Sequence, residues 1–437
     1  MLRTWAGAVP EQVRHSGRSH ALLWFRFPPF AGRPPGDVMV NDPTHPSIPM
    51  LNIGSAIRIP PFVQAGLAGY SDRPMRIVAR RRGCPYAVTE AILDSHLVGC
   101  GREALESVRV RDDDHPIAGQ IIGSNPKSMA QAARMLVVLG HDVIDVNLAC
   151  PVRKLDRIRG GHLLAEPELA IGILTAVRAA VPDKVPTTVK MRRSWDDSPR
   201  SVEQFEQILE AAWKLGYAAV CVHGRTVAQK YLGLANRAVL VSIKRRYPDR
   251  TILGSGDIFF PEDAWAMVSE AGMDGAWIAR GAIGNPWIFQ QSIGGPSSGS
   301  RDAASLELQV NVGGTLSGAL QQRVPWAPTI HMQREAIQEH LSLAIETYGM
   351  GAAKRVRGSF LRYSRAHPRG DRVRCEMLVA RTIQDHQSVM DVWYAHDGPG
   401  VPLEPRVIDE VNGCSVCDPA GAFVKRLPSE NLRWNLV

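Results

Sequence analysis

The sequence predicts an α/β fold, a (β/α)8 TIM barrel followed by a small helical domain. Three observations predict it. Eight short β-branched or apolar runs recur between residues 60 and 279, helical stretches lie between them, and from about 330 the pattern turns to helices alone. Eight strands alternating with helices over about 230 residues is the count and length of such a barrel. A doubly wound open sheet is the competing architecture. It usually has fewer strands, and no GxGxxG follows the first run.

The runs are "PPFVQA" (60–65), "YAVTE" (86–90), "IAGQII" (117–122), "VIDVNL" (143–148), "PTTVKM" (186–191), "AAVCVH" (218–223), "TILGSG" (251–256) and "GAWIA" (275–279). Helices are expected at 126–139, 166–180, 201–215, 236–246 and 261–271, several opened by Ser, Asn or Pro, which cap or start a helix. The later helical stretches are "HMQREAIQEHLSLAIETYG", "AAKRVRGSFLRYSRAH" and "RCEMLVARTIQDHQSVMDVWYAH".

Domain boundaries follow from composition. Residues 1–49 carry no apolar periodicity and many Pro, Gly and Arg, so they read as an extension, disordered or left by an early start codon, with a transit peptide as the other reading. Residues 50–292 form the barrel, 293–328 a flexible insertion, 329–397 the helical domain and 398–437 an irregular tail.

The chain has 437 residues, 45% hydrophobic and 22% charged, which suits a soluble protein with a large core. No run approaches the ~18–20 apolar residues of a membrane helix, so no membrane partner is expected. The net charge of +8 favours a polyanionic partner. Seven scattered cysteines and no secretory leader point to reduced thiols in a cytoplasmic setting. Cys414 and Cys417 form a lone CxxC without a second pair or a histidine at zinc spacing, so no metal is expected.

In this barrel class the active site is built at the C-terminal strand ends. Those ends carry Gly66-Leu67-Ala68, Glu90, Gln120, Asn147 with Cys150, Lys190, His223, Ser255-Gly256-Asp257 and Ala279-Arg280-Gly281. Any one of them is explained by solvation of a strand end. Polar or small residues at all eight ends, above apolar strands, point to a site. At ends seven and eight, glycines let backbone N–H groups approach an anion and Arg280 adds charge, as a phosphate requires. With Gln120 and Lys190 at the mouth, the set suits FMN, although a sugar phosphate or PLP would use similar parts.

Cys150 ends the fourth run, in "DVNLACPVRKLDRIRGG" (145–161). A small buried hydrophobe is the usual fate of a free thiol. This one lies past its strand, close in sequence to Arg153 and Lys154. It could serve as a nucleophile with His162 or His223 as base, or as an acid that protonates a carbanion or enolate. Spacing leaves both open.

"AGLAGYSDRPMR", "GQIIGSNP", "DVNLACPVRKLDRIRGGHLL", "VKMR", "VHGRTVAQKYLG", "GSGDI" and "ARGAIGNPWIF" resemble, in order and spacing, the motifs of the tRNA-dihydrouridine synthases. The resemblance covers roughly residues 57–291 and continues, more weakly, into the helical tail. It implies a flavoprotein that uses FMN and NADPH to reduce the uracil C5–C6 bond in tRNA, with hydride to C6 and a proton to C5. It implies Cys150 as the proton donor and Asn147 as a uracil-binding residue. The implied flavin contacts are Gly66, Leu67, Ala68, Gln120, Lys190, His223, Ser255, Gly256, Asp257, Ala279 and Arg280. The chain departs from the family's usual residues at Gly66-Leu67, Ala149, Ser255 and Val227, where Lys230 is the expected substitute for a missing arginine.

The RNA side has support of its own. Lys354, Arg355, Arg357, Arg362, Arg365, Arg369, Arg372 and Arg374 stand against the single acid Asp371, interleaved with Phe360 and Tyr363. A charge run is usually a solvated face, but this imbalance is one-sided and suits an RNA backbone. Arg362 and Arg365 are the expected substrate contacts, tRNA is the expected partner, and the chain is read as a monomer. The competing readings are an FMN barrel that reduces a free pyrimidine or an enone, and a non-catalytic RNA-binding relative.

Overall fold

The computed structural model describes residues 48–151, 160–294 and 326–403, with two further short strands at Val416–Cys417 and Phe423–Val424. The expected extension at 1–49 falls outside the described residues except for 48–49, as do most of the 293–328 insertion and of the 398–437 tail.

An antiparallel hairpin of β1 (Leu51–Ile53) and β2 (Ile57–Ile59) comes first. The barrel strands are β3 (Phe62–Gln64), β4 (Tyr86–Val88), β6 (Ile117–Ile122), β7 (Val143–Leu148), β8 (Thr187–Arg192), β9 (Ala219–His223), β10 (Ile252–Ser255) and β11 (Gly275–Ile278). They pair in parallel, β4 with β6 and β11 with β3 close the ring, and β5 (Ile92–Leu93) extends the β6 edge. All eight expected runs are barrel strands.

The outer helices are α1 (Arg73–Arg80), α2 (Asp94–Gly99), α3 (Arg102–Val108), α4 (Pro126–Val138), α5 (Pro167–Ala180), α6 (Pro199–Lys214), α7 (Arg237–Arg246), α8 (Pro261–Trp265) and α9 (Ile288–Ile293). Local chemistry sets their starts: the side chains of Asp72, Asn125, Ser198 and Asn236 accept from backbone N–H groups of α1, α4, α6 and α7. The stretch expected as one helix at 261–271 is instead α8 followed by a wide π turn at Ala266–Glu270.

Strand periodicity sorts the core into two. Outward residues such as Ile144, Val146, Val189, Val220 and Ile278 pack against the helices. Inward residues such as Val63, Tyr86, Val143, Cys221 and Leu253 meet Leu51, Ile53, Ile57 and Ile59 of the hairpin, which plugs the N-terminal end. The C-terminal mouth is left for polar residues.

The helical region comprises α10 (Ile330–Tyr348), α11 (Ala352–Tyr363), α12 (Gly370–Val379) and α13 (Ile383–Trp393) around a core of Ala336, Val356, Phe360, Val373 and Met390. Trp287 at the end of the barrel joins that core. Leu343 packs on Ile77 and Val78, Glu339 pairs with Arg81 and Arg82, and Tyr348 donates to Asp72 at 3.0 Å.

Candidate active site

The inward phase of each strand carries its expected residue to the mouth. The register sets Gln120 beside Asp145, Asn147 beside Lys190, Arg192 beside His223, and His223 beside Ser255. Gly66 lies against the second and third strand ends, where an added Cβ would stand 2.4 Å from the Thr89 carbonyl and 3.2 Å from Gln120 Oε1.

One side of the mouth holds the thiol. Asn147 Oδ1 accepts from the backbone N–H of Ala149 at 2.9 Å and of Cys150 at 3.2 Å. Asn147 Nδ2 donates to Gln120 Oε1 at 2.7 Å, and Gln120 Nε2 donates to Asp145 Oδ2 at 2.8 Å. Gln120 therefore keeps one N–H and one lone pair for another group. The N–H of Gly161 donates to the Cys150 carbonyl at 2.9 Å, so the chain returns to Cys150 after residues 151–160. Arg153 and Lys154 of that loop lie outside the described residues.

Arg192 clamps this corner. Its Nε donates to the Ala149 carbonyl at 2.9 Å, and its Nη1 to the carbonyls of Thr226 at 2.8 Å and Lys230 at 2.6 Å. Burial pushes its pKa down to about 10, and it remains a cation next to Cys150. Val227 is buried, with its Cγ2 3.2 Å from where a Cβ on Gly161 would stand, and Lys230 brings its backbone carbonyl to the same corner.

The other side is a shallow recess, open to solvent, lined by His223, Ser255, Gly256, Asp257, Ile258, Phe259, Trp277, Ala279 and Arg280. Six of these nine are expected site residues. Asp257 pairs with Arg225 at 2.8 Å and with Arg280 at 3.3 Å. Burial first, then Lys190, Arg192, Arg225 and Arg280, hold the His223 pKa well below its usual value, so the ring is neutral. Its Nδ1 accepts from the Arg225 backbone N–H at 3.0 Å, which leaves the proton on Nε2 as a donor. Burial also lowers the Lys190 and Arg280 pKa values.

These features fit a bound phosphate. Arg280 in the lining, Arg225 beside it and the neutral N–H donor of His223 stand against the one carboxylate of Asp257, which leaves the recess positive. Gly256 takes φ +123, and a Cβ there would stand 2.5 Å from Ala235 Cβ, so only glycine lets the chain pass so closely. Among the described residues, the buried Nη1 of Arg225, whose Nη2 pairs with Asp257 at the recess, has no hydrogen-bond partner.

The helical region borders the same mouth. Gly284, at φ +68, lies so close to α11 that a Cβ would stand 2.5 Å from the Arg362 carbonyl carbon and the Tyr363 nitrogen. Arg355 and Arg362, seven residues apart on α11, are exposed on one face. Arg362 is near enough to help lower the Arg280 pKa, and Arg355 lies near Glu90, whose carboxyl burial pushes upward. Arg365 is half-buried in the turn after α11.

Sequence reasoning did not single out Asp145, Arg192 or Arg225. Arg192 had a signal, since it shares the inward phase of Lys190 two residues before it. Arg225 follows the sixth strand end directly and had only its place in "VHGRT".

A closed barrel with its thiol, buried cations and a polar recess at one mouth defines a (β/α)8-barrel enzyme. Residues 63–308 match the family model described as dihydrouridine synthase. The tRNA-dihydrouridine synthase B of Xanthomonas axonopodis pv. citri is 36% identical over 240 residues, covering 55% of this chain and 70% of that protein. The proteins of that name from Pseudomonas aeruginosa and Escherichia coli are 34% identical over 244 residues and 35% over 232, covering 54% and 53% of this chain and 72% and 70% of those proteins. The chain belongs to the dihydrouridine synthase family.

Proposed function

We propose that the protein is an FMN-dependent tRNA-dihydrouridine synthase that uses NADPH to reduce uridine in tRNA. One observation carries the reading: Cys150, its backbone held by Asn147 and next to Arg192, shares a mouth with a cationic recess suited to phosphate. Family membership and the basic face of α11 support it.

Gly66, Leu67 and Ala68 with Gln120 and Lys190 would hold the flavin ring, while His223, Ser255, Gly256, Asp257, Ala279 and Arg280 would hold its phosphate end. With FMN bound there and reduced by NADPH, a hydride would be available for uracil C6. Cys150 gives its thiol proton to C5, so that hydride and proton together saturate the C5–C6 bond. Asn147 orients the Cys150 backbone and faces the uracil. Arg362 and Arg365 neutralise tRNA phosphates, and the target uridine leaves its stack to enter the mouth. We infer a cytoplasmic enzyme, a reading that the five cysteines outside any disulfide among the described residues suit.

The test is to incubate the purified protein with NADPH and an unmodified tRNA transcript, with free uracil in parallel, and to map dihydrouridine by mass spectrometry. Reduction of the transcript and not of uracil is expected. Turnover of uracil alone would instead make it a small-molecule reductase.

A further inference from the structure

We propose that Asp145 is a positioning residue, whose carboxylate acts through Gln120 and Asn147 to fix the backbone that carries Cys150. The inference rests on the reading of Cys150 as the acid.

Asp145 is fully buried inside the barrel, on the central of three neighbouring strands. Its Oδ2 accepts from Gln120 Nε2 at 2.8 Å on β6, and its Oδ1 accepts from Thr188 Oγ1 at 2.5 Å on β8. From Gln120 the chain of bonds climbs to Asn147 at 2.7 Å and ends on the N–H groups of Ala149 and Cys150 at 2.9 and 3.2 Å.

Each amide in this chain can turn over by 180°, exchanging donor for acceptor. At the upper end two backbone N–H groups demand an acceptor, so Asn147 must point Oδ1 at them and Nδ2 at Gln120. Gln120 must then receive with Oε1 and donate with Nε2. That order persists only if the lower end accepts and never donates. An ionised carboxylate is the side chain with that property, and a buried one with two bonded oxygens meets no water to disturb it. Burial lifts the Asp145 pKa only to about 6, with Thr188, Gln120 and Lys190 opposing the rise, so the group is ionised above that pH. A buried carboxylate costs stability. What it contributes here is polarity, delivered two amides away to the residue with the thiol.

An asparagine at 145 offers Nδ2 as well as Oδ1, so Gln120 and Asn147 can both turn over and present Nδ2 to the Cys150 N–H. The loop would then shift against Arg192, which bonds the Ala149 carbonyl and whose charge acts on the thiol.

The experiment uses the full-length flavin-loaded protein, Asp145→Asn, and the double variant Asp145→Asn with Gln120→Glu. The double variant moves the carboxylate one place up the chain and restores an acceptor for Asn147. Alkylation of Cys150 by iodoacetamide at pH 8 is followed by peptide-resolved mass spectrometry, and tRNA reduction is measured beside it. For Asp145→Asn, Cys150 alkylation should change by about fivefold or more and kcat should fall about tenfold, with KM for tRNA little changed. In the double variant the Cys150 alkylation rate should return to within about twofold of the parent. Alkylation unchanged in Asp145→Asn, or altered equally in both variants, overturns the proposal. If Cys150→Ala keeps full activity, the acid reading fails, yet the alkylation rates still decide the role of Asp145.

Discussion

Asp257 Oδ1 lies 3.3 Å from Arg280 Nη2, while its Oδ2 accepts from Arg225 at 2.8 Å and from the Ala235 backbone at 2.7 Å. One carboxylate thus aligns two guanidinium groups at the recess and cannot neutralise both. The residual charge is what an anion would complete. A charge-assisted hydrogen bond contributes about 1.5–3 kcal/mol, so Arg280→Met should raise the FMN dissociation constant roughly ten- to a hundredfold. Flavin fluorescence titration measures it, and an unchanged constant would remove Arg280 from the phosphate site.

Cys150→Ala separates the proton donor from the rest of the chemistry. General acids typically contribute about 10²–10⁴-fold, and dihydrouridine formation should fall by that order. Flavin content and NADPH oxidation should persist, because the thiol is not among the recess-lining groups. Lost flavin, with tRNA reduction per remaining flavin unchanged, would count against the assignment.

Gly284→Ala tests how the helical region is seated. The glycine is at φ +68, and the added Cβ would meet backbone atoms of α11 at 2.5 Å, which no side-chain rotation relieves. The expected result is a cost on the order of 1–3 kcal/mol in stability and weaker tRNA binding, with NADPH oxidation retained. Calorimetry and a tRNA titration check the two halves.

Asp145 carries a pH signature of its own. Burial raises its folded pKa to about 6, against about 3.9 for an unfolded aspartate. A raised folded pKa means that its contribution is present below about pH 4 and is lost as pH rises through 6. Tyr86, Lys190, Tyr217 and Cys221 are the other ionisable groups coupled to it, and of these Lys190 opposes the rise. Asp145→Asn removes the titration. Its unfolding free energy relative to the parent should therefore grow by on the order of 3 kcal/mol between pH 4 and pH 8. Urea unfolding at the two pH values shows whether the gap opens in that direction.

Arg362→Glu with Arg365→Glu probes the RNA face. Each lost phosphate contact should lower the slope of log affinity against log salt by nearly one unit, with flavin binding unaffected. An unchanged slope would exclude this face from tRNA binding.

Much of the site was legible before folding because barrel chemistry is local in sequence. Inward phase and strand end both follow from a two-residue period, so Gln120, Asn147, Lys190, His223 and Ser255 could be read from eight short runs. That these residues line one recess was legible for the same reason, since "GSGD" and "ARGA" each end a strand.

Asp145 was not legible. A single acid in an apolar run has no partner in its own segment, and its bonds reach residues 25 and 43 positions away. The seating of α11 was equally hidden, because Gly284 meets Arg362 and Tyr363 only when two separate cores pack together.

Alternation and local turns encode the eight barrel strands, their ends, the family and the residues that crown the mouth, so these were readable from the chain alone, whereas the β1–β2 hairpin and β5 were not. Which buried groups hold those residues in place emerges on folding: Asp145 beneath Gln120, Arg192 across Ala149, Asp257 between two arginines. Closing the ring brings distant strands to hydrogen-bonding range, and no local pattern records which polar atoms will then face each other.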